Sequence, residues 1–142
     1  MSDHLVSEAC DMSDAPEGTV TKRVGVSVDD TVSALVQLIE GHGAKVFAIV
    51  DHSGEAARAG LDLRNTKLVI FGSPVAGTPV MVAAPLAALD LPLKVLVWED
   101  DGGAVSVSYN SARFLATRYR LTDPLRKPLE AVEALTDALV KP

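Results

Sequence analysis

The sequence predicts an α+β domain, with a mainly antiparallel twisted sheet and helices packed on one face of it. Three observations indicate this class: apolar residues that alternate with period two, helical spacing directly after them, and a plain β-hairpin in the second half. Strands and helices do not alternate regularly enough for a doubly wound parallel sheet. At 142 residues, 48% of them hydrophobic, the chain suits one domain with its own core.

The first two predicted elements are a strand and a helix. "TVTKRVGVSV" (19–28) has valine at alternate positions, which is typical of a half-buried strand. "DDTVSALVQLIEGHG" then places apolar residues on one helical face. Asp29 or Asp30 is expected to cap this helix, and Gly41 or Gly43 to end it.

The middle of the chain predicts two further strands, each followed by helix. "AKVFAIV" (44–50) has the continuous apolar run of a fully buried strand, and "SGEAARAG" after it favours a short helix. "TKLVIFG" (66–72) is the third strand. The alanine-rich residues 73–90 predict two short helical pieces, because Pro79 and Pro85 interrupt the segment.

The second half predicts a hairpin and two helices. "LPLKVLVWED" and "AVSVSY" flank an Asp-Gly turn, so they are expected to pair as antiparallel strands. A helix is expected to begin near Ser111. "DPLRKPLEAVEALTDALV" closes the chain as one amphipathic helix whose apolar stripe contains Leu129, Val132, Leu135 and Leu139.

Charge and cysteine content suggest how the chain is divided and where it works. Residues 1–18 hold five of the 19 acidic residues and no lysine or arginine, so we expect a disordered acidic tail followed by one domain over residues 19–142. The domain is then nearly neutral, which argues against nucleic acid as a partner. One cysteine, Cys10, and no signal peptide or membrane-spanning run suggest a cytoplasmic protein without a membrane partner.

The triplet Asp51-His52-Ser53 follows the second predicted strand and is the first place where chemistry could occur. Adjacent residues point in divergent directions on a strand or helix, so the three cannot act together as a catalytic triad. We expect Asp51 and Ser53 to hold backbone N–H groups. His52 is the weak catalytic candidate, as a general base or a ligand contact.

Metal, haem and nucleotide chemistry find little support in the motifs. Histidine and cysteine spacing matches no metal site. His52 and Met81 could ligate a haem iron, but the sequence has no C-x-x-C-H motif for haem attachment. Gly72 and Gly77 have the spacing of a phosphate loop, but Thr78 stands in place of the lysine. Weak binding of an anion or carbonyl at the following helix start remains open.

Large apolar side chains would line any pocket between sheet and helices, although they could equally be core. These are Phe47, Phe71, Met81 and Trp98.

Three ordered blocks resemble the DUF302 family of small bacterial proteins of unknown function. They are "FAIVDHSGEAARAGL", "LVIFGSPVAGTPVM" and "ALDLPLKVLVWEDDGGAVSVSYN". The family motif falls on Asp51, His52, Phe71, Gly72, Pro74, Gly77, Thr78, Met81, Leu91, Pro92 and Trp98. Ser73 departs from the pattern, where asparagine is expected.

The resemblance implies a fold similar to the TBP-like β-α-β4-α arrangement and a homodimer, and it brings no established activity. Our leading hypothesis is a domain that binds a small apolar or anionic ligand. The predicted contacts are His52, Phe71, Gly72, Gly77, Thr78, Met81 and Trp98. One alternative is an enzyme in which Asp51 or Lys22 assists His52, and another is a structural or protein-interaction module without a ligand. No cofactor is identified.

Overall fold

The structure, a computed structural model, describes residues 15–140 and contains one five-stranded antiparallel sheet with strand order β1-β5-β4-β3-β2. The strands are β1 (Thr19–Val24), β2 (Lys45–Asp51), β3 (Thr66–Gly72), β4 (Leu93–Glu99) and β5 (Val105–Asn110). The helices are α1 (Val28–Gly41), α2 (His52–Arg58), α3 (Pro74–Ala83), α4 (Ala112–Tyr119), α5 (Asp123–Arg126) and α6 (Ala131–Val140), with 3₁₀ helices at Pro85–Leu89 and Lys127–Glu130. This architecture confirms the predicted α+β class.

The hydrophobic core lies between one face of the sheet and the helices. Alternate residues of the three central strands point into it, including Val69, Val95 and Val107, which are fully buried. Leu35 of α1 and Leu135 of α6 close the core from the other side. Burial of this apolar surface is the main stabilising contribution to the fold.

The opposite face of the sheet, the open face, lies outside the main core cluster. Leu68, Leu96 and Trp98 are half-buried there, and the Trp98 indole N–H donates to Ser108 Oγ at 2.9 Å. A further bond of 2.8 Å joins that hydroxyl to Thr21 Oγ1. This network is a polar centre on a mixed face, because the strand registers also place Arg23, Thr66 and Lys94 on the same side.

The predicted cap of the first helix is wrong. Ser27 caps α1, because its hydroxyl accepts the Asp30 N–H at 3.0 Å, and strand β1 ends earlier than expected, at Val24. Asp29 and Asp30 instead occupy the first turn, where their charges interact favourably with the helix dipole. The predicted left-handed glycine is Gly43, with φ of 75°.

Strand β2 is an edge strand, so the prediction of a fully buried strand is wrong. Phe47 is 44% exposed and Ile49 is 45% exposed, and the pairing with β3 shifts register between Val46 and Ala48. A short apolar run has the same composition whether it is central or at an edge. The sequence pattern therefore could not locate it.

Proline positions divide the helices differently from the prediction. Helix α3 continues through Pro79 and ends at Ala83, and the second helical piece begins at Pro85. The prediction of one closing helix is also wrong, because a 3₁₀ helix with Pro128 in its first turn separates α5 from α6.

Part of the predicted acidic tail, residues 1–14 with Cys10, lies outside the described residues. Residues 15–18 lead into β1 through a turn in which the Thr19 N–H donates to the Pro16 carbonyl at 3.0 Å. Within residues 15–140, no helix has the length and apolar character needed to cross a membrane.

Candidate functional site

A cavity of about 490 Å³ lies at one end of the sheet, where β3 ends and β4 begins. Three segments enclose it: the first turns of α3, the segment that leads into β4, and the chain from the second 3₁₀ helix into α6. The turn after α1 forms its remaining edge. The volume falls in the usual range of small-molecule sites, which is roughly 300–1,000 Å³.

The wall of the cavity is predominantly apolar. Phe71 and Leu135 are buried at its base, and Met81 lies along its side. The lining also includes Phe47, Pro74, Leu91, Pro92, Leu93, Pro128 and Leu129. Such a surface favours an apolar ligand, because removing apolar area from water is the main gain on binding.

Gly77 holds part of this space open from inside a helix. A glycine within a helix costs roughly 0.5–1 kcal/mol relative to alanine. Neither a positive φ nor a close contact requires it here, since an added Cβ would meet only Met81 Cε, at 3.9 Å. The glycine therefore lowers helix stability and leaves room in the cavity.

Gly72 contributes space in a similar way at the end of β3. A Cβ there would lie 3.5 Å from Pro92 Cβ and 3.8 Å from Phe47 Cε2, which are ordinary contacts. Gly72 and Gly77 thus both line the cavity, one from the end of β3 and one from α3.

His42 is the titratable side chain among the residues that line the cavity. Its Nδ1 lies 2.8 Å from the Leu38 carbonyl, and because a carbonyl oxygen only accepts, this nitrogen carries the hydrogen. In the neutral ring Nε2 is then an acceptor. His42 directly follows the last residue of α1, and the fold brings that end of the helix to the cavity.

The start of α3 offers little to an anion. Pro74, the first helical residue, has no N–H, and the N–H groups of Ala76 and Gly77 both donate to the Ser73 carbonyl, at 3.1 and 2.7 Å. The Ser73 hydroxyl also accepts from Ala76 at 3.4 Å. The N–H groups of Ala76 and Gly77 are therefore already bonded within the chain.

The structure brings five of the seven predicted ligand contacts together. Phe71, Gly72, Gly77, Thr78 and Met81 line the cavity. His52 and Trp98 are not among its lining residues. His52 follows the far end of β2, roughly 20 Å along the strand from Ala44, and Trp98 projects from the open face.

Asp51 and Ser53 form a local network that joins α2 to β3. Asp51 Oδ1 accepts the Gly54 N–H at 2.9 Å and the Ser53 hydroxyl at 2.8 Å, while Ser53 Oγ accepts the Thr66 N–H at 3.1 Å. The Gly54 backbone bond, followed by the Ser53 bond, lowers the pKa of the Asp51 carboxyl. His52 is exposed and takes no part in these bonds.

The predicted assistance of His52 by Lys22 has no geometric basis. Lys22 lies on β1, at the opposite edge of the sheet from β2, and strand spacing separates the two edges by roughly 19 Å. The Lys22 ammonium donates to Thr136 at 2.7 Å and pairs with Asp137 at 2.8 Å, which fastens β1 to α6. Its role in these contacts is structural.

Within the part of the chain that the structure describes, no group of three or more histidine, cysteine, aspartate or glutamate side chains is placed to hold a metal ion.

The chain is similar to part of several curated proteins. It is 39% identical over 104 residues to "Fluoride-specific ion channel FluC 1" of Brucella suis biovar 1 (strain 1330), a match that covers 73% of this chain and 41% of that protein. FluC 1 of Brucella abortus biovar 1 (strain 9-941) shares the same identity over 38% of its length. The chain thus spans about two fifths of the length of these relatives.

Structural and family comparisons agree with each other. The crystal structure of an uncharacterized conserved DUF302 protein from Bacillus stearothermophilus matches with a TM-score of 0.73 and 17% identity, over 88% of this chain and 97% of that one. This likeness shows the fold. The family described as "Domain of unknown function DUF302" matches residues 20–139, which contain the whole sheet except the first residue of β1. The chain belongs to the DUF302 family.

Proposed function

We propose that the protein binds a small apolar molecule in the cavity beside Gly77. The observation that carries this proposal is the helix glycine itself, which lowers helix propensity and leaves open an apolar space that a side chain could fill without a clash. A ligand that covers the apolar wall would remove it from water, which is the main favourable contribution to such binding.

An apolar ligand with one polar group fits the wall better than the anion that the sequence pattern at the start of α3 left open. The α3 N–H groups of Ala76 and Gly77 are already bonded to Ser73, and neither lysine nor arginine is among the lining residues. His42 Nε2 could accept a hydrogen bond from a hydroxyl of the ligand.

A neutral fluorescent probe, N-phenylnaphthylamine, tests the proposal directly. We expect probe binding to the purified protein and a loss of affinity of more than tenfold in Gly77→Leu, whose side chain would occupy the cavity. Native mass spectrometry of the same samples should show a retained small molecule in the wild type and none in this variant.

Gly41→Leu is the matched control, because Gly41 also lies in a helix but an added Cβ meets nothing within 4 Å. This variant should bind the probe as tightly as the wild type does. Equal affinity of the Gly77→Leu and wild-type proteins, both shown to be folded by circular dichroism, would contradict the proposal.

We further propose that the protein is a homodimer in which the open face of the sheet contacts the partner. Half-buried Leu68, Leu96 and Trp98 give this face the apolar character of an interface core. Leu96→Lys should shift the sedimentation coefficient to that of a monomer. An unchanged coefficient would place the contact elsewhere or exclude a dimer.

A second functional proposal comes from the relatives: we propose that the protein acts in the cytoplasm together with a fluoride-transporting channel. It is supported by the 39% identity over 104 residues to proteins named as fluoride-specific ion channels, which are more than twice as long as the match. Deletion of the gene in its host should increase sensitivity to fluoride. Unchanged growth at every fluoride concentration would contradict it.

A further inference from the structure

An apolar ridge runs along α3 and the following 3₁₀ helix, and it is formed by Val75, Val82, Leu86 and Leu89. These side chains are 88%, 76%, 71% and 72% exposed. Val75 and Val82 are seven residues apart, so they lie on the same helix face. Leu86 and Leu89 are three residues apart, so they share a face of the 3₁₀ helix. Single exposed apolar residues are common, but four at such exposure within residues 75–89 indicate a surface that contacts something.

The composition of this segment is that of a buried helix. No charged residue occurs between Lys67 and Asp90. Despite this apolar composition, Val80 is the one residue of α3 that is fully buried. A helix that is apolar on all sides normally lies in a protein core or in contact with lipid. Helix α3 therefore lacks the polar outer face that a water-exposed helix has.

Positive charge lies next to the ridge. Residues 113–127, the basic segment, contain five arginine and lysine residues and one acidic residue. Arg118 pairs with Asp90 at 3.2 Å and Tyr119 donates a hydrogen bond to the same carboxylate, which fixes α4 against the end of the ridge. Arg113, Arg120 and Lys127 are exposed.

The cavity adjoins the helix that carries the ridge and the residue that follows the basic segment. Gly77 and Met81 of α3 line one side of it, and Pro128, directly after the basic segment, lines another. Apolar surface, positive charge and an apolar cavity thus occur together at one end of the molecule. This combination is typical of proteins that rest on an anionic lipid surface.

We propose that the apolar ridge docks onto the surface of a membrane that contains anionic lipids, with the basic segment contacting the headgroups. Insertion of the ridge removes its side chains from water, and each arginine or lysine near the headgroups adds an electrostatic contribution. This contact is peripheral, and it departs from the sequence-based expectation of no membrane partner.

Charge distribution favours a lipid surface over a second copy of the chain. A two-fold symmetric contact through the ridge would bring two basic segments near each other, and like charges repel. An anionic bilayer supplies the opposite charge over the same area. The lipid surface is therefore the occupant that satisfies both the apolar and the charged features.

Flotation with vesicles tests the proposal. We expect binding to vesicles of phosphatidylcholine and phosphatidylglycerol in equal parts, and at least tenfold less binding to phosphatidylcholine alone. The double variant Val82→Asp/Leu86→Asp should lower the bound fraction more than tenfold. Lys127→Glu should lower it severalfold, and added salt should weaken binding of the wild type because it screens the charges.

The double variant Leu61→Asp/Leu63→Asp is the matched control, because it adds the same charges at exposed apolar side chains outside the ridge, 65% and 48% exposed. It should bind vesicles like the wild type. Equal vesicle binding of the ridge variant, or none by the wild type, would overturn the proposal. A ridge variant that changes only the sedimentation coefficient would assign the ridge to a second copy instead.

This inference does not depend on the proposed ligand. The ridge side chains are not among those that line the cavity, so ridge variants should bind N-phenylnaphthylamine normally. Conversely, Gly77→Leu should float with anionic vesicles like the wild type. The two proposals can therefore fail separately.

Discussion

Two strand–helix junctions lie at opposite ends of the antiparallel β2–β3 pair. Both contain a serine and a glycine, but the structural roles of these residues differ. At the start of α2, Asp51 and Ser53 bond to each other and to neighbouring N–H groups. At the start of α3, Ser73 caps the helix, but Gly77 leaves an apolar space behind it. The polar junction is structurally complete, whereas the glycine-containing junction contains unfilled volume.

The difference shows that polarity alone is a poor guide to function in this fold. Asp51, His52 and Ser53 attract attention because they have reactive side chains, yet two of them serve the backbone. The junction at Gly77 has almost no reactive group. Its features are a costly glycine and a cavity of about 490 Å³, and the proposal of ligand binding rests on them.

The largest stability effect is expected at the α2 junction. Ser53→Ala removes the acceptor of the Thr66 N–H and the donor to Asp51, and it should lower the free energy of unfolding by about 1–2 kcal/mol. Chemical denaturation measures this difference. A loss of probe affinity by the folded variant would contradict the separation of the two junctions.

Acid should weaken the same junction. The pKa of Asp51 is lowered in the folded state, so its contribution is present above its ordinary value of 3.8 and is lost as the pH falls through the folded pKa. The denaturation midpoint should therefore fall more steeply in the wild type than in Asp51→Asn as the pH is lowered below about 4. Parallel curves would show that the carboxylate is unimportant.

The comparison with Asp51→Asn is necessary because protonation of another carboxyl changes the free energy of unfolding in the opposite direction. Burial raises the pKa of Glu133, so protonation favours the folded state as the pH falls. Both proteins contain Glu133, and the difference between their curves isolates Asp51.

A smaller effect is expected at the cavity mouth. His42→Ala removes the ring beside the cavity and its bond to the Leu38 carbonyl, so N-phenylnaphthylamine should bind two- to fivefold more weakly, a loss of about 0.4–1 kcal/mol. Fluorescence titration measures it. His42→Gln, which keeps a polar side chain, serves as the control for lost packing.

The smallest effect is expected from His52→Ala. His52 is exposed and distant from the cavity, so probe affinity should be unchanged and stability should change by less than about 0.5 kcal/mol. A large loss of affinity would support the sequence-based prediction of His52 as a ligand contact and would contradict the assignment to His42.

The sequence predicted the sheet because its signals are local. The alternating apolar residues of "AVSVSY" and the Asp-Gly turn each depend on neighbouring residues, and Val105, Val107 and Tyr109 belong to the core. The edge position of β2 could not be predicted, since strand order is set by contacts between distant segments. The same reason explains why Phe47 is exposed.

Prediction of the site was limited in the same way. Phe71, Gly72, Gly77, Thr78 and Met81 come from two consecutive elements, so their grouping followed from chain proximity. His42 and Leu135 reach the cavity only through the packing of α1 and α6, which no local pattern encodes. Trp98 was selected for its size, but the alternation of β4 places it on the open face.

The most direct test measures stability and affinity on the same two variants. Gly77→Ala should raise the free energy of unfolding by roughly 0.5–1 kcal/mol, because alanine favours helix, and should weaken N-phenylnaphthylamine binding. Ser53→Ala should lower stability and leave the affinity of the folded protein unchanged. A Gly77→Ala protein that is more stable and binds the probe as tightly as the wild type would contradict the assignment of this space to a ligand.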